Sequence, residues 1–434
     1  MLERILPLVG IFLWCAIAWF FSNQKKRVPW GLVVKGLIFQ AVLTISVLGI
    51  PALGFHGPLE GLFSLANDGI NAILGYTMEG SRFIFGGLMD ISTYGFIFAF
   101  QVLPTIIFMS TVMAVLYHIG IMQWVVGFFA WLMQKTFRTS GAETLSTAAN
   151  IFLGQTEAPL IIRPFLAKMT QSELFCVMVG GMASVAGGVL AAYVGLLQQK
   201  IPGIAGHLLI ASILSAPATL IISKIMHPET ETPETLGQIP EDSKQKIYTN
   251  TIEAAASGAS EGLSLAMNVA GMLLAFIALI ALVNGVLGQV GHVLHFDQWG
   301  RLLVPESYST GTELKLSFQL IMSWIFAPFS LFMGIPWSEC MQAGSLLGEK
   351  TVLNEFVAYL SLSSQTETFS ERSNVILSYA LCGFANFSSI AIQIGGIGGM
   401  APSRRGDLAA MGLRCVLGGT LCTFLIASTV AILV

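Results

Sequence analysis

The sequence predicts an all-α polytopic membrane protein with about eight transmembrane helices and two re-entrant hairpins arranged as an inverted repeat. Apolar residues make up 54% of the 434 positions and charged residues only 10%, with a mean hydropathy of +0.76. Soluble domains average about 25% charged residues. Several apolar runs approach the roughly 20 residues that cross a bilayer as a helix. Short polar stretches interrupt this apolar background at similar places in two halves of the chain.

Residues 1–120 are predicted to form scaffold spans and one interfacial helix. Spans are expected at about 4–22, 30–50 and 95–118. The first is interpreted as a retained span, because the run is too long for a signal peptide and is followed directly by Lys25, Lys26 and Arg27. This basic cluster indicates a cytoplasmic loop and therefore an external N-terminus. Residues 57–90 mix polar and apolar side chains, which is typical of an interfacial amphipathic helix.

A polar triplet, Gln155-Thr156-Glu157, lies in an apolar environment between Gly154 and Pro159. A charged side chain in the bilayer centre costs about 2.5–3.5 kcal/mol on insertion scales, so it is kept only where it faces a cavity, a partner or a ligand. Glycine and proline disfavour a continuous helix here, and broken backbone at membrane depth has to be buried or line a cavity. We therefore expect residues 141–169 to form a hairpin whose tip binds a polar solute. A cytoplasmic loop is the alternative.

The hairpin belongs to a predicted first repeat, residues 121–226. Residues 121–138 either lie along the membrane surface or lead into the hairpin, and spans follow at about 173–198 and 206–226. The earlier of these spans contains the glycine-rich run 180–188, where each interior glycine costs about 0.5–1 kcal/mol relative to alanine. The run indicates either close helix packing through small residues or an unwound segment that offers carbonyl groups to a cation.

The remainder of the chain contains a loop, a scaffold span and a second repeat. Residues 227–262 are the most polar part and are predicted to be a cytoplasmic loop. Residues 263–314 should hold a scaffold span, at about 263–290, and an external polar segment at 297–314. Residues 315–434 should form the second repeat. Its parts are a hairpin whose polar stretch covers 344–356, a broken span at about 374–394 and a last span at about 407–433 that ends outside the cell.

The two repeats are matched by sequence at two places, in the same order. Residues 150–157 parallel 345–351, and residues 181–187 parallel 383–389. Three predicted spans separate the hairpins, and an odd number of crossings inverts the second copy. Inverted repeats with paired broken segments are typical of secondary transporters, with the binding site near the midplane. We therefore expect the first tip to lie close to Glu355, Asn386 and Ser389.

The side chains that would meet there favour a neutral polar solute. Carboxylates and amides dominate the set, and Lys350 is its only cation. Glu355, Asn386 and Ser389 could bind a vicinal diol, since carboxylates accept hydrogen bonds from hydroxyl groups. Gln155 and Thr156 could contact the polar edge of a planar group, and Phe384 could stack on a ring. This chemistry alone leaves a nucleoside and a sugar open.

Three motifs, in order, closely resemble those of the concentrative nucleoside transporters. They are Gly154-Gln155-Thr156-Glu157-Ala158-Pro159 followed by Ser172-Glu173-Leu174, Asn354-Glu355-Phe356-Val357-Ala358-Tyr359, and Cys382-Gly383-Phe384-Ala385-Asn386-Phe387-Ser388-Ser389. The resemblance covers about residue 60 to the end. It implies a multi-pass protein of the cytoplasmic membrane, a homotrimer, elevator-type movement and import of nucleosides of the uridine, cytidine and adenosine class.

The resemblance also implies roles for individual residues. Gln155, Thr156, Glu157 and Val189 would face the nucleobase. Glu355, Asn386 and Ser389 would hold the ribose, with Phe384 near the ligand. In sodium-coupled members, the cation site would be formed by Asn150, Val179, Ser184 and Val185. Because Asn150 and Ser184 are present, sodium is the favoured coupling ion, no other cofactor is expected, and a proton-coupled symporter is the alternative.

Two other functional classes are less consistent with the sequence. An intramembrane enzyme would need a metal motif such as His-Glu-x-x-His, or a nucleophile paired with a base, and neither is found. An enzyme would also leave the repeat and the paired breaks unexplained. A channel would not need a coupling ion, and accumulation against a gradient would exclude it. The six scattered cysteines show no metal or redox spacing, which indicates small core residues. The net charge of −3 does not suggest a nucleic-acid partner.

Overall fold

The computed structural model describes residues 2–50, 54–238, 248–304 and 314–434, and helices dominate this part of the chain. The predicted all-α class is confirmed. Six described helices are long and apolar enough to cross a membrane: Trp30–Leu48, Phe98–His118, Gln171–Leu197, Ile204–Met226, Thr251–Val293 and Pro402–Ala431. A seventh candidate is the pair Phe318–Phe332 and Trp337–Val352, which is bent by 119°. Two shorter apolar helices lie at Arg4–Phe20 and Phe387–Met400.

The N-terminal part follows the predicted order of elements. Helix Glu60–Phe85 covers most of the segment predicted to be interfacial, and it is not among the helices that qualify as spans. Helices Leu103–His118 and Ile121–Phe137 follow it. Gly120 joins these two helices with a φ of 91°, a left-handed conformation that glycine adopts without steric cost.

The first hairpin, residues 141–166, is interrupted at the predicted place. Helix Gly141–Ala149 ends before the polar triplet, and the chain then continues into the short helices Ala158–Ile161 and Arg163–Leu166. Pro159 lies in the first turn after the interruption, where its missing N–H group is not needed by the helix. The non-helical tip therefore presents backbone and side-chain polar groups deep within the protein.

Two broken helices follow the two hairpins. The first consists of Gln171–Ala183 and Gly187–Leu197, and the second of Glu371–Leu381 and Phe387–Met400. The two breaks touch, because the backbone N–H of Phe384 donates to the carbonyl of Ser184 at 3.2 Å. A Cβ atom at Gly383 would lie 3.0 Å from the carbonyl oxygen of Met182, so glycine permits this close approach.

The second hairpin, residues 337–365, corrects one part of the predicted repeat. Its helices are Trp337–Val352 and Glu355–Gln365, and the interruption lies at residues 353–354. Residues 345–351 are helical, so they do not correspond to the tip at 150–157. The polar side chains of Glu349 and Lys350 suggested a tip, but both are buried within a helix. The equivalent interruptions begin at Asn150 and Leu353.

The long helix, Thr251–Val293, begins well before the predicted start at residue 263. The side chain of Asn250 accepts a hydrogen bond from the N–H of Glu253 at 2.9 Å, which caps the helix at this earlier position. The predicted loop of 227–262 is therefore shorter, and its residues 239–247 lie outside the described part. In the predicted external segment, helical turns Phe296–Trp299 and Gly300–Leu303 precede residues 305–313, which also lie outside it.

Burial separates the helices into an inner and an outer set. In the most apolar window of Gln171–Leu197 and of Ile204–Met226, 89% of the residues are buried within the chain, compared with 11% for the long helix and 22% for Trp30–Leu48. The first broken helix is therefore surrounded by protein, whereas the long helix lies at the periphery. In the second broken helix, one face of Phe387–Met400 is exposed. All six cysteines are buried and free, as predicted for small core residues.

A buried ion pair ties the base of the first hairpin to helix Ile204–Met226. The Nζ atom of Lys224 lies 2.7 Å from Oε2 of Glu143, with exposed side-chain fractions of 4% and 1%. Lys224 also donates to the hydroxyl of Ser172 at 2.9 Å. The hydroxyl of Ser140 donates to Glu173 at the start of the first broken helix. This network holds the hairpin, the broken helix and the following span together.

Substituting Lys224→Met should destabilise the folded protein by about 3–5 kcal/mol, because the Glu143 carboxylate remains buried without its partner. Thermal unfolding of the purified protein in detergent measures this loss. Lys168→Met is the matched control, since Lys168 and Glu234 form an exposed pair and such pairs contribute about 0–1 kcal/mol. Equal melting temperatures for the two variants would contradict the prediction, and Glu143→Gln combined with Lys224→Met should recover part of the loss.

Candidate functional site

The two hairpin tips and the two helix breaks surround one cavity of about 140 Å³. All eight residues predicted to contact the solute line it: Gln155, Thr156, Glu157, Val189, Glu355, Phe384, Asn386 and Ser389. Six more lining residues come from the same elements: Gly154, Ala186, Asn354, Phe356, Ser388 and Ile392. The structure thus brings together side chains separated by more than 200 positions in the sequence.

The carboxylate of Glu355 is held rigidly in one wall of the cavity. Its Oε2 atom accepts a hydrogen bond from Nδ2 of Asn386 at 3.0 Å, and its Oε1 atom accepts one from the hydroxyl of Tyr193 at 2.8 Å. Glu355 is 5% exposed, so these bonds form in a site largely shielded from water. Each oxygen retains further acceptor capacity. The carboxylate is therefore an oriented acceptor for a ligand that carries hydroxyl groups.

Two asparagines cap the helices that begin at the breaks, and in this way they fix the position of this wall of the cavity. The side chain of Asn354 accepts from the N–H of Val357 at 2.9 Å, and that of Asn386 accepts from the N–H of Ser389 at 2.9 Å. Asparagine is among the preferred residues at this position because it satisfies an otherwise unpaired N–H group. The same amide of Asn386 also donates to Glu355, so one side chain both starts a helix and orients the carboxylate.

The first hairpin tip forms the opposite wall. Nε2 of Gln155 donates to the hydroxyl of Ser389 at 3.2 Å, which links the two repeats across the cavity. Oε1 of Gln155 is buried and has no partner among the described residues. Glu157 is exposed, and any side chain at Gly154 would collide with its carboxylate. This wall therefore offers an unused amide oxygen and an accessible carboxylate.

Apolar groups complete the cavity. Val189 belongs to helix Gly187–Leu197 and is 4% exposed, and Phe384 lies partly buried in the second break. Four residues of the long helix also line the cavity and were not predicted from the sequence: Leu265, Val269, Met272 and Leu273. They lie on one face of that helix, but an apolar residue in an apolar span carries no sequence signal that distinguishes a cavity wall from a lipid-facing or packed surface.

Lys350 does not line the cavity, although the sequence placed it near the site. Its side chain is 1% exposed, and Nζ donates to the carbonyl of Ala380 and to the hydroxyl of Thr423, both at 2.8 Å. The polar surface of the cavity therefore carries two carboxylates, amides and hydroxyl groups, with no lysine or arginine among the lining residues. This composition fits a neutral ligand rather than an anion.

Asn150, at the first tip, borders the broken helix that carries the other three predicted cation residues. Asn150, Val179, Ser184 and Val185 are all buried. Neither side-chain atom of Asn150 has a hydrogen-bond partner in the described chain, and the same is true of the Thr219 hydroxyl. A Cβ atom at Gly180 would lie 3.3 Å from Nδ2 of Asn150 and 3.4 Å from Cγ2 of Thr219, so both side chains border this point of the first broken helix.

These groups are chemically suited to a hard cation. The last four carbonyl groups of a helix lack intrahelical partners, and helix Gln171–Ala183 ends at this point. The hydroxyl of Ser184 donates a hydrogen bond to one of these carbonyl groups, that of Gly180, at 3.0 Å. Unpaired amide and hydroxyl oxygens beside helix-end carbonyls are the ligands that coupling cations use in transporters with broken helices.

Comparison with known families agrees with this architecture along almost the whole chain. Residues 9–88 match the family description "Na+ dependent nucleoside transporter N-terminus", residues 99–200 match "Nucleoside recognition", and residues 207–431 match "Na+ dependent nucleoside transporter C-terminus". The last of these alone covers more than half of the chain.

Individual proteins are similar over the same length. An "Uncharacterized transporter" of Haemophilus influenzae is 41% identical over 431 residues, which cover 98% of this chain and 96% of that protein. "Sodium/nucleoside cotransporter 1" of Mus musculus is 38% identical over 447 residues, and "Solute carrier family 28 member 3" of Homo sapiens is 36% identical over 446. The chain spans 64% and 60% of the lengths of these two animal proteins.

Solved structures show the same fold. The structure of CNTnw in an inward-facing, substrate-bound state is 38% identical, with a TM-score of 0.88 over 99% of this chain and 98% of that chain. A variant of CNTnw in an outward-facing state has a TM-score of 0.87 and covers 97% of that chain. The chain therefore belongs to the concentrative, Na+ dependent nucleoside transporter family and is a transporter, not an enzyme.

Proposed function

We propose that the protein is a symporter that imports nucleosides across the cytoplasmic membrane, driven by a sodium gradient. The observation that carries this proposal is the cavity between the two hairpin tips, which combines oriented carboxylate and amide groups with apolar surfaces. A nucleoside has matching parts, since its ribose carries a vicinal diol and its base has both a polar edge and flat apolar faces. A plain sugar would leave the apolar surfaces of the cavity without a partner.

The second repeat supplies the ribose contacts in this proposal. Glu355 accepts hydrogen bonds from the ribose hydroxyl groups, because its carboxylate is held in place by Tyr193 and Asn386. Asn386 and Ser389 supply further polar contacts at the same wall. A carboxylate acceptor forms stronger hydrogen bonds than a neutral oxygen. Ligands without these hydroxyl groups would leave a buried carboxylate with unused acceptor capacity.

The first repeat supplies the contacts to the base. Gln155 has an unpartnered amide oxygen at the cavity, and Thr156 and Glu157 line the same wall. These groups form hydrogen bonds with the polar edge of the base, while Val189 and Phe384 contact its faces. Amide and hydroxyl groups can both donate and accept, which suits the different edges of uridine, cytidine and adenosine.

The sodium ion binds behind the first tip in this proposal, among Asn150, Val179, Ser184 and Val185. The unpartnered amide of Asn150 and the nearby hydroxyl of Thr219 support this placement. Gln155 follows Asn150 by five positions in the same non-helical stretch, so a bound ion orders the segment that contacts the base. Binding of sodium therefore favours binding of nucleoside, and the reverse holds by linkage.

Transport by elevator-type movement in a homotrimer completes the proposal. The hairpins and broken helices form a largely buried inner body that leaves one face of Phe387–Met400 exposed, whereas the long helix and Trp30–Leu48 remain largely uncovered in a single chain. Outer helices with broad apolar surfaces can serve as a scaffold between copies and lipid. The inner body carries every polar group of the cavity, so it can move with its ligand relative to such a scaffold.

Reconstitution in liposomes tests the substrate and the coupling ion together. Radiolabelled uridine, cytidine or adenosine should accumulate above equilibrium when an inward sodium gradient is the only driving force. Accumulation that requires a proton gradient instead would contradict sodium coupling, and no accumulation of any nucleoside would contradict the substrate class. The variant Glu157→Gln should lose most of the uptake while it keeps the melting temperature and oligomeric state of the original protein, whereas Glu79→Gln, at an exposed helix position, should transport normally.

Substituting Glu355→Gln should weaken binding of ribonucleosides about 10- to 100-fold, because a hydrogen bond to a charged group contributes about 1.5–3 kcal/mol. Binding of 2′,3′-dideoxynucleosides should change much less, so the variant loses discrimination between the two classes. Competition for uptake measures both affinities. Glu349→Gln is the matched control, since Glu349 is a buried carboxylate of the same hairpin outside the cavity. Equal losses for both nucleoside classes would contradict the assignment of Glu355 to the ribose.

Substituting Ser184→Ala should raise the sodium concentration for half-maximal uptake about fivefold, since one oxygen ligand contributes about 1 kcal/mol. The nucleoside affinity at saturating sodium should stay nearly unchanged. Ser212→Ala is the control, because Ser212 is also fully buried but lies about two helical turns before Thr219 on helix Ile204–Met226. The same shift in both variants would argue against a cation contact at Ser184.

A further inference from the structure

Lys350 is a fully buried cation that the proposed transport mechanism does not use. Its ammonium group is held by two neutral oxygen atoms, the carbonyl of Ala380 and the hydroxyl of Thr423, both at 2.8 Å. In the described part of the chain, no carboxylate lies within salt-bridge distance of it. Buried lysines are usually paired with an acid. Coordination by a helix carbonyl and a hydroxyl resembles instead the surroundings of an alkali-metal ion.

The position of Lys350 follows from the order of elements in the second repeat. Lys350 lies in the last turn of the hairpin helix Trp337–Val352. Ala380 lies at the end of Glu371–Leu381, the first half of the broken helix, and Thr423 belongs to the final helix Arg405–Ala431. The ammonium group therefore lies where a hairpin helix, a broken helix and the following span meet.

The first repeat contains the same three-way junction. Asn150 directly follows the hairpin helix Gly141–Ala149, and Gly180 lies in the last turn of Gln171–Ala183. Thr219 belongs to the following span, and it is the eighth residue counted back from the last residue of that helix. Thr423 has a comparable place, because it is the ninth residue counted back from the last residue of its own helix. The distances at Gly180 show that Asn150 and Thr219 border the same point.

The two junctions differ in how their polar groups are satisfied. In the first, the amide of Asn150 and the hydroxyl of Thr219 are buried without partners among the described residues. In the second, the hydroxyl of Thr423 donates to the carbonyl of Thr420 at 3.0 Å and accepts from Lys350, so both its donor and an acceptor position are used. One junction needs a cation from solution, and the other already contains one.

We propose that the Lys350 ammonium is a built-in cation, which takes in the second repeat the place that the exchangeable sodium ion takes in the first. This inference rests on the proposed sodium site at Asn150. Lys350 is then a positioning residue that orders the second tip permanently, while the first tip is ordered only when sodium binds. The transporter consequently moves one exchangeable cation with each nucleoside.

The charge moved per nucleoside tests the inference on the unmodified protein. Parallel measurements of current and of radiolabelled uridine uptake in proteoliposomes should give one positive charge per uridine, and the sodium dependence of uptake should have a Hill coefficient close to one. A ratio of two charges per uridine would overturn the inference. Uptake without any sodium dependence would instead contradict the proposed sodium coupling and would be recognised as such by this same measurement.

Substituting Lys350→Ala gives a second test with a readout other than transport. The variant leaves the oxygens of Ala380 and Thr423 unpaired beside a space the size of the lost side chain. Methylammonium should raise its melting temperature in detergent well above the shift seen with choline, and sodium should raise it by more than it raises that of the original protein. Lys350→Met fills the space with an apolar chain, so methylammonium should give no selective rescue and sodium should give only the shift due to the first repeat.

Equal effects of methylammonium and choline on Lys350→Ala would overturn the inference. If Lys350→Ala can be purified only with methylammonium present, that requirement supports it. In liposomes, the same variant should show a Hill coefficient for sodium that rises from about one towards two. A coefficient that stays at one while methylammonium has no effect on stability would again overturn it.

Discussion

A peptide group without a hydrogen-bond partner in hydrocarbon costs several kcal/mol, and this constraint determines how the interruptions of the helices are arranged. The chain breaks its helices at two hairpin tips and in two spans, and it collects these breaks in one place. The N–H of Phe384 binds the carbonyl of Ser184, so one break satisfies the other. Asn354 and Asn386 cap the helices that restart there. The binding cavity is the space that remains between breaks satisfied in this way.

The same constraint explains how much the sequence could predict. A carboxylate beside an amide and a hydroxyl, bracketed by Gly154 and Pro159, has few stable placements in an apolar chain, so the first tip and its partners at Glu355 and Asn386 could be predicted. The start of the long helix could not, because its cap at Asn250 is an ordinary local interaction. The second tip was placed several residues too early, since Glu349 and Lys350 are polar but are buried and hydrogen-bonded inside a helix.

The two repeats place similar elements around different polar groups. Near the first tip, the amide of Asn150 and the amide oxygen of Gln155 are buried without partners in the described chain, whereas at the second tip Lys350 and Glu355 are both hydrogen-bonded. Buried polar groups are nearly always hydrogen-bonded in folded proteins, so each exception needs an explanation. In the proposed function, the unpaired groups of the first repeat bind ligands reversibly, and the paired groups of the second repeat hold its tip in place.

The wall that the long helix contributes to the cavity consists of Leu265, Val269, Met272 and Leu273, side chains without strong hydrogen-bonding groups. Every polar lining group belongs to the hairpins and the broken helices. Dispersion contacts between hydrocarbon surfaces are weak individually and have little directional preference. In the proposed elevator-type movement, a loaded cavity that slides along this wall exchanges one set of such contacts for another without breaking hydrogen bonds to the wall. The wall would then offer little directional resistance to the movement, and selectivity would reside in the part that moves.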